Sequence, residues 1–209
     1  MIKRILLAFI FLSFSVLSYS QEDNYDINGL SVGFVPSALF NIWTGYQMEA
    51  GYGFKDHFEI GINVAYINGK RQNKPYQGYR IRPSIKYYFL NEFEDHRFYI
   101  EAGYLQRVID VRLIGRFNMF EGVFFQEIEI VRNRTVKGGF AMFGIKKPIG
   151  SSGFFYDFGI GLGLGEITIL NEHIPNGELE SNENFFVNDS DGSLPFPILL
   201  VHASIGYNF

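Results

Sequence analysis

The sequence contains no cysteine, which excludes disulfides, thiol chemistry and a lipid anchor attached through cysteine. It has one Trp and seven Pro in 209 residues. No segment after the N-terminal twenty residues is long and apolar enough for a membrane-crossing helix, which takes about 20 residues. Excess positive charge is also missing: 18 Lys and Arg stand against 22 Asp and Glu, which argues against nucleic acid as a partner. No stretch with a period of 3.6 stands out, so helices are not expected. There is no Walker loop, no Rossmann glycine pattern, no zinc ligand set and no paired-carboxylate site, so no metal or cofactor is expected.

What the chain does have begins at its N-terminus. Lys3 and Arg4 precede an apolar run over residues 5–16, and small residues follow at Ser18 and Ser20. A charged start, a short apolar stretch and a small-x-small site describe a secretory signal peptide over 1–20, cleaved between Ser20 and Gln21. The run is too short for a membrane anchor. Residues 21–209 then form one domain, more acidic than the whole chain because Lys3 and Arg4 are lost. Phe at 23, Tyr at 13 and Gly at 23 are high. Aromatics suit strands and membrane interfaces, and Gly suits crowded interiors.

Period two recurs along the domain and predicts eight strands, near 29–37, 42–54, 57–69, 76–90, 97–113, 130–146, 153–170 and 196–209. The seventh is clearest. Phe154, Tyr156, Phe158, Ile160, Leu162 and Leu164 oppose Asp157, Gly159, Gly161, Gly163 and Gly165. In the third, Phe58, Ile60, Ile62, Val64 and Tyr66 oppose Glu59, Gly61, Asn63 and Ala65. The sixth loses its rhythm at Gly138-Gly139, where a bulge is expected. A soluble barrel packs its large apolar residues inward, which here would expose a column of glycines for no gain. A soluble periplasmic barrel therefore remains the alternative. The inverted arrangement, apolar column to lipid and glycine inside, explains more. Short connections after the second, fourth and sixth strands, with long ones over 114–129 and 171–195, fit the asymmetry of outer-membrane barrels. Aromatics beside the short connections (Phe54, Phe58, Phe89, Phe93, Phe98, Phe154, Phe155, Phe209) predict one girdle. Trp43, Tyr46, Tyr66, Tyr76 and Tyr79 predict the other. Strands five and seven turn polar at Gln106 and Glu166, so the wall is expected to continue above the membrane.

Signal peptide, eight alternating strands, unequal connections and the terminal Phe209 together resemble the small Gram-negative outer-membrane barrels of the OmpA/OmpX type. The resemblance covers 21–209 and lies in architecture more than in motifs. It implies an all-β fold, an eight-stranded antiparallel up-and-down transmembrane β-barrel. It implies outer-membrane lipid and lipopolysaccharide as surroundings, and an insertion machinery that reads the last strand, where Val201, Ile205, Tyr207 and Phe209 match. A periplasmic cell-wall-binding domain like that of OmpA is not implied.

The inward face is expected to gather Glu49, Glu59, Arg80, Arg82, Lys86, Glu101, Asp157 and His202. In an eight-stranded barrel the interior is just wide enough for side chains, so these charges should pair. The expected role is structural or interactive, with outer loops as the binding surface and no catalytic residue. A narrow channel or carrier for small solutes is the alternative. A second alternative is a lipid-modifying enzyme. His202 and Ser204 share a strand face, as in some outer-membrane lipid hydrolases, with Asp157 on the next strand as the acid. The acidic segment 171–195 (Glu172, Glu178, Glu180, Glu183, Asp189, Asp191) misses the calcium-loop pattern at Val187 and Ile198. It reads as a solvated loop, and Lys70, Arg71 and Lys74 read as a solubilising turn.

Overall fold

The computed structural model describes residues 28–40, 43–55, 57–71, 74–89, 97–120, 124–150, 152–173, 177–179 and 192–209. The expected signal peptide, Phe93 and most of the acidic segment lie outside them. The described chain is almost wholly β: β1 Gly29–Phe34, β2 Gly45–Phe54, β3 Phe58–Arg71, β4 Lys74–Tyr88, β5 Arg97–Met119, β6 Phe124–Pro148, β7 Phe154–Asn171, β8 Gly177–Leu179 and β9 Gly192–Asn208. A 3-10 turn, Pro36–Phe40, follows β1.

The strands form one antiparallel sheet in the order β4-β3-β2-β1-β9-β7-β6-β5-β8, and a further β4–β5 pairing closes it into a ring. The expected strands are the wall of this ring. The short β8 adds to the far part of β5, at Phe117↔Leu179 to Met119↔Gly177. The end holding the β2–β3 and β6–β7 connections is called the near end below, the opposite end the far end.

Several expectations change. The first strand stops at Phe34 rather than 37, because Pro36 cannot donate to a ladder and the chain turns inward, burying Val35 and Ala38. The segment 114–129 is not a loop. β5 and β6 stay paired out to Met119↔Phe124. The 69–75 loop likewise shrinks, since Lys70↔Pro75 and Arg71↔Lys74 are paired. The asymmetry between the ends thus lies in strand height more than in connection length. No bulge occurs at Gly138-Gly139: both residues keep an unbroken register, with Leu105 and Tyr104 on one side and Gly165 and Leu164 on the other. Phe140 and Met142 lie against Gly161 and Gly163 of the neighbouring strand, so the glycines accommodate bulk without a change of register.

The outward face is apolar over the near part of the ring. Tyr52, Ile60, Ile85, Ile100, Phe143, Phe158, Ile160, Val201 and Ile205 are all exposed there. The apolar columns end at one level. Gln106 pairs with Lys137, Lys137 with Glu166, and Glu166 with Pro195, so three strands turn from apolar to polar in a single cross-strand row, and β9 places a proline there. At the near end Phe54, Phe58, Tyr87 and Phe89 make a chain of ring contacts, as do Phe154, Tyr207 and Phe209. Tyr46, Tyr66 and Tyr79 are exposed and directly paired across β2, β3 and β4. Trp43 and Tyr76 do not join that row. Tyr76 has the opposite parity, is buried inside, and meets Trp43 edge to face at 5.0 Å. Phe155 also points inward and is buried.

Candidate functional site: a charge network inside the ring

The near part of the interior collects ionised side chains from strands on all sides. Strand parity sends Glu59, Lys86, Glu101, Lys146 and Asp157 inward, and all are buried. Lys86 Nζ on β4 reaches Asp157 Oδ2 on β7 at 2.6 Å, across the ring, and Glu59 Oε1 on β3 at 3.6 Å. Lys146 Nζ on β6 lies 2.8 Å from Glu59 Oε2. Two phenols complete the set: Tyr88 donates to Glu59 Oε2 at 3.0 Å and Tyr99 donates to Asp157 Oδ1 at 2.5 Å. Both carboxylates therefore hold a cation and a phenol, the condition under which buried charge is tolerated. The lysines also sit over aromatic rings, Lys86 4.6 Å from the Tyr99 centroid and Lys146 4.2 Å from that of Phe155, a favourable placement for ammonium groups.

A second cluster centres on Glu49. Its carboxylate accepts the Ser204 hydroxyl and lies 3.2 Å from His202 Nε2. These side chains come from β2 and β9, the two neighbours of β1, and meet over Gly33. A Cβ there would fall 2.7 Å from Glu49 Oε1, so the missing side chain of β1 is what lets its neighbours touch. His202 Nδ1 faces Arg82 Nη2 at 3.3 Å. Arg82 approaches Glu101 at 3.9 Å, and Arg80 donates to Gln47, which donates in turn to Asn63 at 2.8 Å.

The eight expected charged residues thus occupy one interior, and seven others were missed: Gln47, Tyr88, Tyr99, Arg107, Arg132, Arg134 and Lys146. Lys146 was hidden by the irregular rhythm of β6. The hairpin register that sets Lys146 opposite Asp157 was the available signal. The interior is also less polar than expected. Leu105, Val136, Phe140, Met142, Ile167, Ile198 and Leu200 form a buried cluster, and Ile67, Tyr76, Ile109 and Val111 form another towards the far end.

His202, Ser204 and Asp157 are not arranged as a nucleophile, base and acid in series. Ser204 gives its hydroxyl to Glu49 and not to His202, whose two ring nitrogens face Glu49 and Arg82. A serine nucleophile needs the imidazole as its base. Asp157, the expected acid, is held by Lys86 and Tyr99. Glu49, Asp157 and His202 do bring ligand atoms within 4.8 Å of one another, but the Lys86 ammonium at 2.6 Å from Asp157 already supplies the positive charge at that place. Val201, Ile205, Tyr207 and Phe209 all lie exposed on the outward face of the last strand. Among the described residues no helix is long and apolar enough to cross a membrane, which says nothing of strands. In comparisons of the chain with protein families, with curated proteins and with solved structures, nothing matches.

Proposed function

We propose that the chain is an integral outer-membrane β-barrel protein with a structural or interaction role, its far-end connections serving as the binding surface. One observation carries this reading: the burial pattern of the near part is inverted. Charged residues such as Glu101 and Asp157 are fully buried while Leu162, Leu164 and Leu199 are about seven- to eight-tenths exposed. In water such a surface would aggregate. In a bilayer it is the solvent-matched face, and the ring satisfies the backbone by closing. The outward apolar column of β3, from Phe58 to Tyr66, would rise about 20 Å at the tilt usual for such strands, most of the ~25 Å height of a typical apolar band. The partners are outer-membrane lipid and lipopolysaccharide, and the insertion machinery acting on Val201, Ile205, Tyr207 and Phe209.

The paired charges span the interior, which weighs against a steady ion path and favours a structural wall over a pore. The expected result on expressing the full chain is recovery in the outer-membrane fraction, resistance to carbonate extraction, and a faster gel mobility before boiling than after. A mature chain that stays monodisperse in buffer without detergent would overturn the reading in favour of a soluble barrel.

A further inference from the structure

β1 leaves a seam in the wall. It pairs with β9 only from Ser31↔Asn208 to Phe34↔Ile205, whereas β9 continues along β7 to Gly192. Beyond Ile205 the β1-facing flank of β9 therefore has no strand beside it among the described residues. Two amides show which peptide groups face that flank: Phe209 N–H bonds the Leu30 carbonyl at 2.9 Å, and Ala203 N–H bonds Ser37 Oγ at 3.1 Å. Alternation along an antiparallel strand sends the peptide groups of 201, 199, 197 and 195 the same way. Two of these positions are Pro197 and Pro195, which have no N–H to leave unpaired and belong on strand edges. The sequence itself is thus written for an open flank.

Behind the flank lies a cavity of about 70 Å³. Its inner wall includes Ser37, Gln47, Arg80, Arg82 and Arg107, and its seam side includes Leu199 and Val201. Arg80 and Arg107 face each other across the β4–β5 ladder. No carboxylate is among the lining residues. Among the described residues Arg80 bonds to the neutral Gln47. Arg82 is 4% exposed, and both its Nε and the Nε of Arg107 are buried without a hydrogen-bond partner. Arg82 makes a long ion pair with Glu101 at 3.9 Å, too far for a hydrogen bond, and leaves both Glu101 oxygens without one. Like charges and unused donors in a dry site are costly. A carboxylate or phosphate would relieve both, and the guanidinium fork matches either group.

The surroundings say what is attached to that anion. Leu199 and Val201 are 71% and 61% exposed, and Leu39 of the 3-10 turn is exposed as well. The seam lies within the apolar belt. Arg107 follows Gln106 directly, so the arginines sit at the row where the belt ends. We infer that the seam and the arginine-lined cavity form a site for a single-chain anionic amphiphile. Its head group lies on Arg80, Arg82 and Arg107, and its hydrocarbon chain leaves through the seam past Leu199 and Val201. This rests on the membrane reading above, because the chain reaches the seam from the bilayer.

The test uses the full mature protein refolded into phosphatidylcholine vesicles, with insertion scored first by protease protection. Dodecanoate, dodecyl phosphate, dodecyltrimethylammonium and inorganic phosphate are then titrated calorimetrically. Saturable one-to-one binding of the two anionic amphiphiles is expected, with no binding of the cationic one. Arg107→Gln and Arg80→Gln should each weaken it at least tenfold. Val201→Trp, which narrows the seam without touching the arginines, should slow association of dodecanoate but leave inorganic phosphate unaffected. Equal affinity for the cationic amphiphile, or inorganic phosphate binding as tightly as dodecanoate, would overturn the proposal. Inserted protein that binds no dodecanoate overturns it alone; protein that fails to insert overturns the membrane reading with it.

Discussion

Two parts of one wall follow opposite rules. On the near side of the row Gln106, Lys137 and Glu166, the outward residues of β7 are Phe158, Ile160, Leu162 and Leu164, and the inward ones are Asp157 and four glycines. On the far side of that row the same sheet turns Asp110, Arg112, Asn133 and Glu129 outward, while Ile109, Val111, Ile130, Ile167 and Ile169 are buried inside. The far part is packed like a soluble β-protein and the near part is packed inside out. Strand geometry is common to both, so on the proposed membrane reading the difference comes from the solvent each face meets. The interior of the inside-out part combines paired charges with the apolar cluster of Leu105, Phe140, Met142 and Leu200. The far part rests on apolar burial around Ile109, Val111 and Ile130, with Arg132 enclosed beside them.

The comparison breaks hardest where the charges pair. Lys86→Met removes the cation shared by Asp157 and Glu59, leaving Asp157 without an ammonium partner. The expected loss is about 3–5 kcal/mol, the usual cost of unpairing a buried charge. Urea titration of vesicle-inserted protein, followed by gel mobility, reads it. A change below about 1 kcal/mol would mean that water reaches the network and that the interior is wetter than the pairing implies. Replacing the whole set at once by apolar residues should cost less than the single change, because no charge is then stranded.

Next comes the belt. Ile160 is 62% exposed and lies midway along the outward column of β7. Ile160→Arg is expected to cost about 2–4 kcal/mol in a bilayer, the figure for a cation near the midplane of a barrel wall. The same change in a soluble protein would be close to neutral, so folding yield into vesicles against yield in detergent-free buffer separates the two solvents.

Packing inside the near part sets the third scale. A Cβ on Gly161 would lie 2.5 Å from the Ala141 carbonyl oxygen and 2.7 Å from Met142 Cβ. Gly161→Val should therefore cost about 1–3 kcal/mol through overpacking, read as a lowered urea midpoint with an unchanged slope. Tolerance of Val would show that the β6 backbone at Ala141 and Met142 can shift away.

Much of this was legible from alternation alone. Glu59, Lys86 and Asp157 fall inward because their neighbours at two-residue spacing are Gly61, Ser84 and Gly159, while the flanking positions carry Ile60, Ile85 and Phe158. The level of the belt could be read from Gln106 and Glu166, since a polar residue ended an apolar column at each. What alternation could not supply was partnership between distant strands. That Glu49 meets Ser204 depends on the bare Gly33 lying between them, and that Lys146 meets Glu59 depends on the closure of the ring. The 114–129 segment was misread because its outward residues turn polar where the belt ends, and a polar strand standing in water looks like a loop when the expected strand is a membrane one. Tyr76 and Trp43 were placed outside by their aromatic character, whereas parity already sent Tyr76 inward.

The smallest effect is the most discriminating. Leu170 lies on the same strand and the same outward column as Ile160, is similarly exposed at 54%, and stands beyond Glu166. Leu170→Arg is expected to change stability by no more than about 0.5 kcal/mol, as for an exposed side chain in water. Measured beside Ile160→Arg, it holds residue chemistry, strand and orientation nearly constant and changes only the side of the Gln106–Lys137–Glu166 row. A penalty at Leu170 equal to that at Ile160 would mean that lipid covers the far part as well and that the row is no boundary. Equal neutrality at both positions would mean that neither meets lipid. Only an unequal pair is consistent with a wall that crosses from one solvent into another at that row, and the size of the inequality measures how sharply it does so.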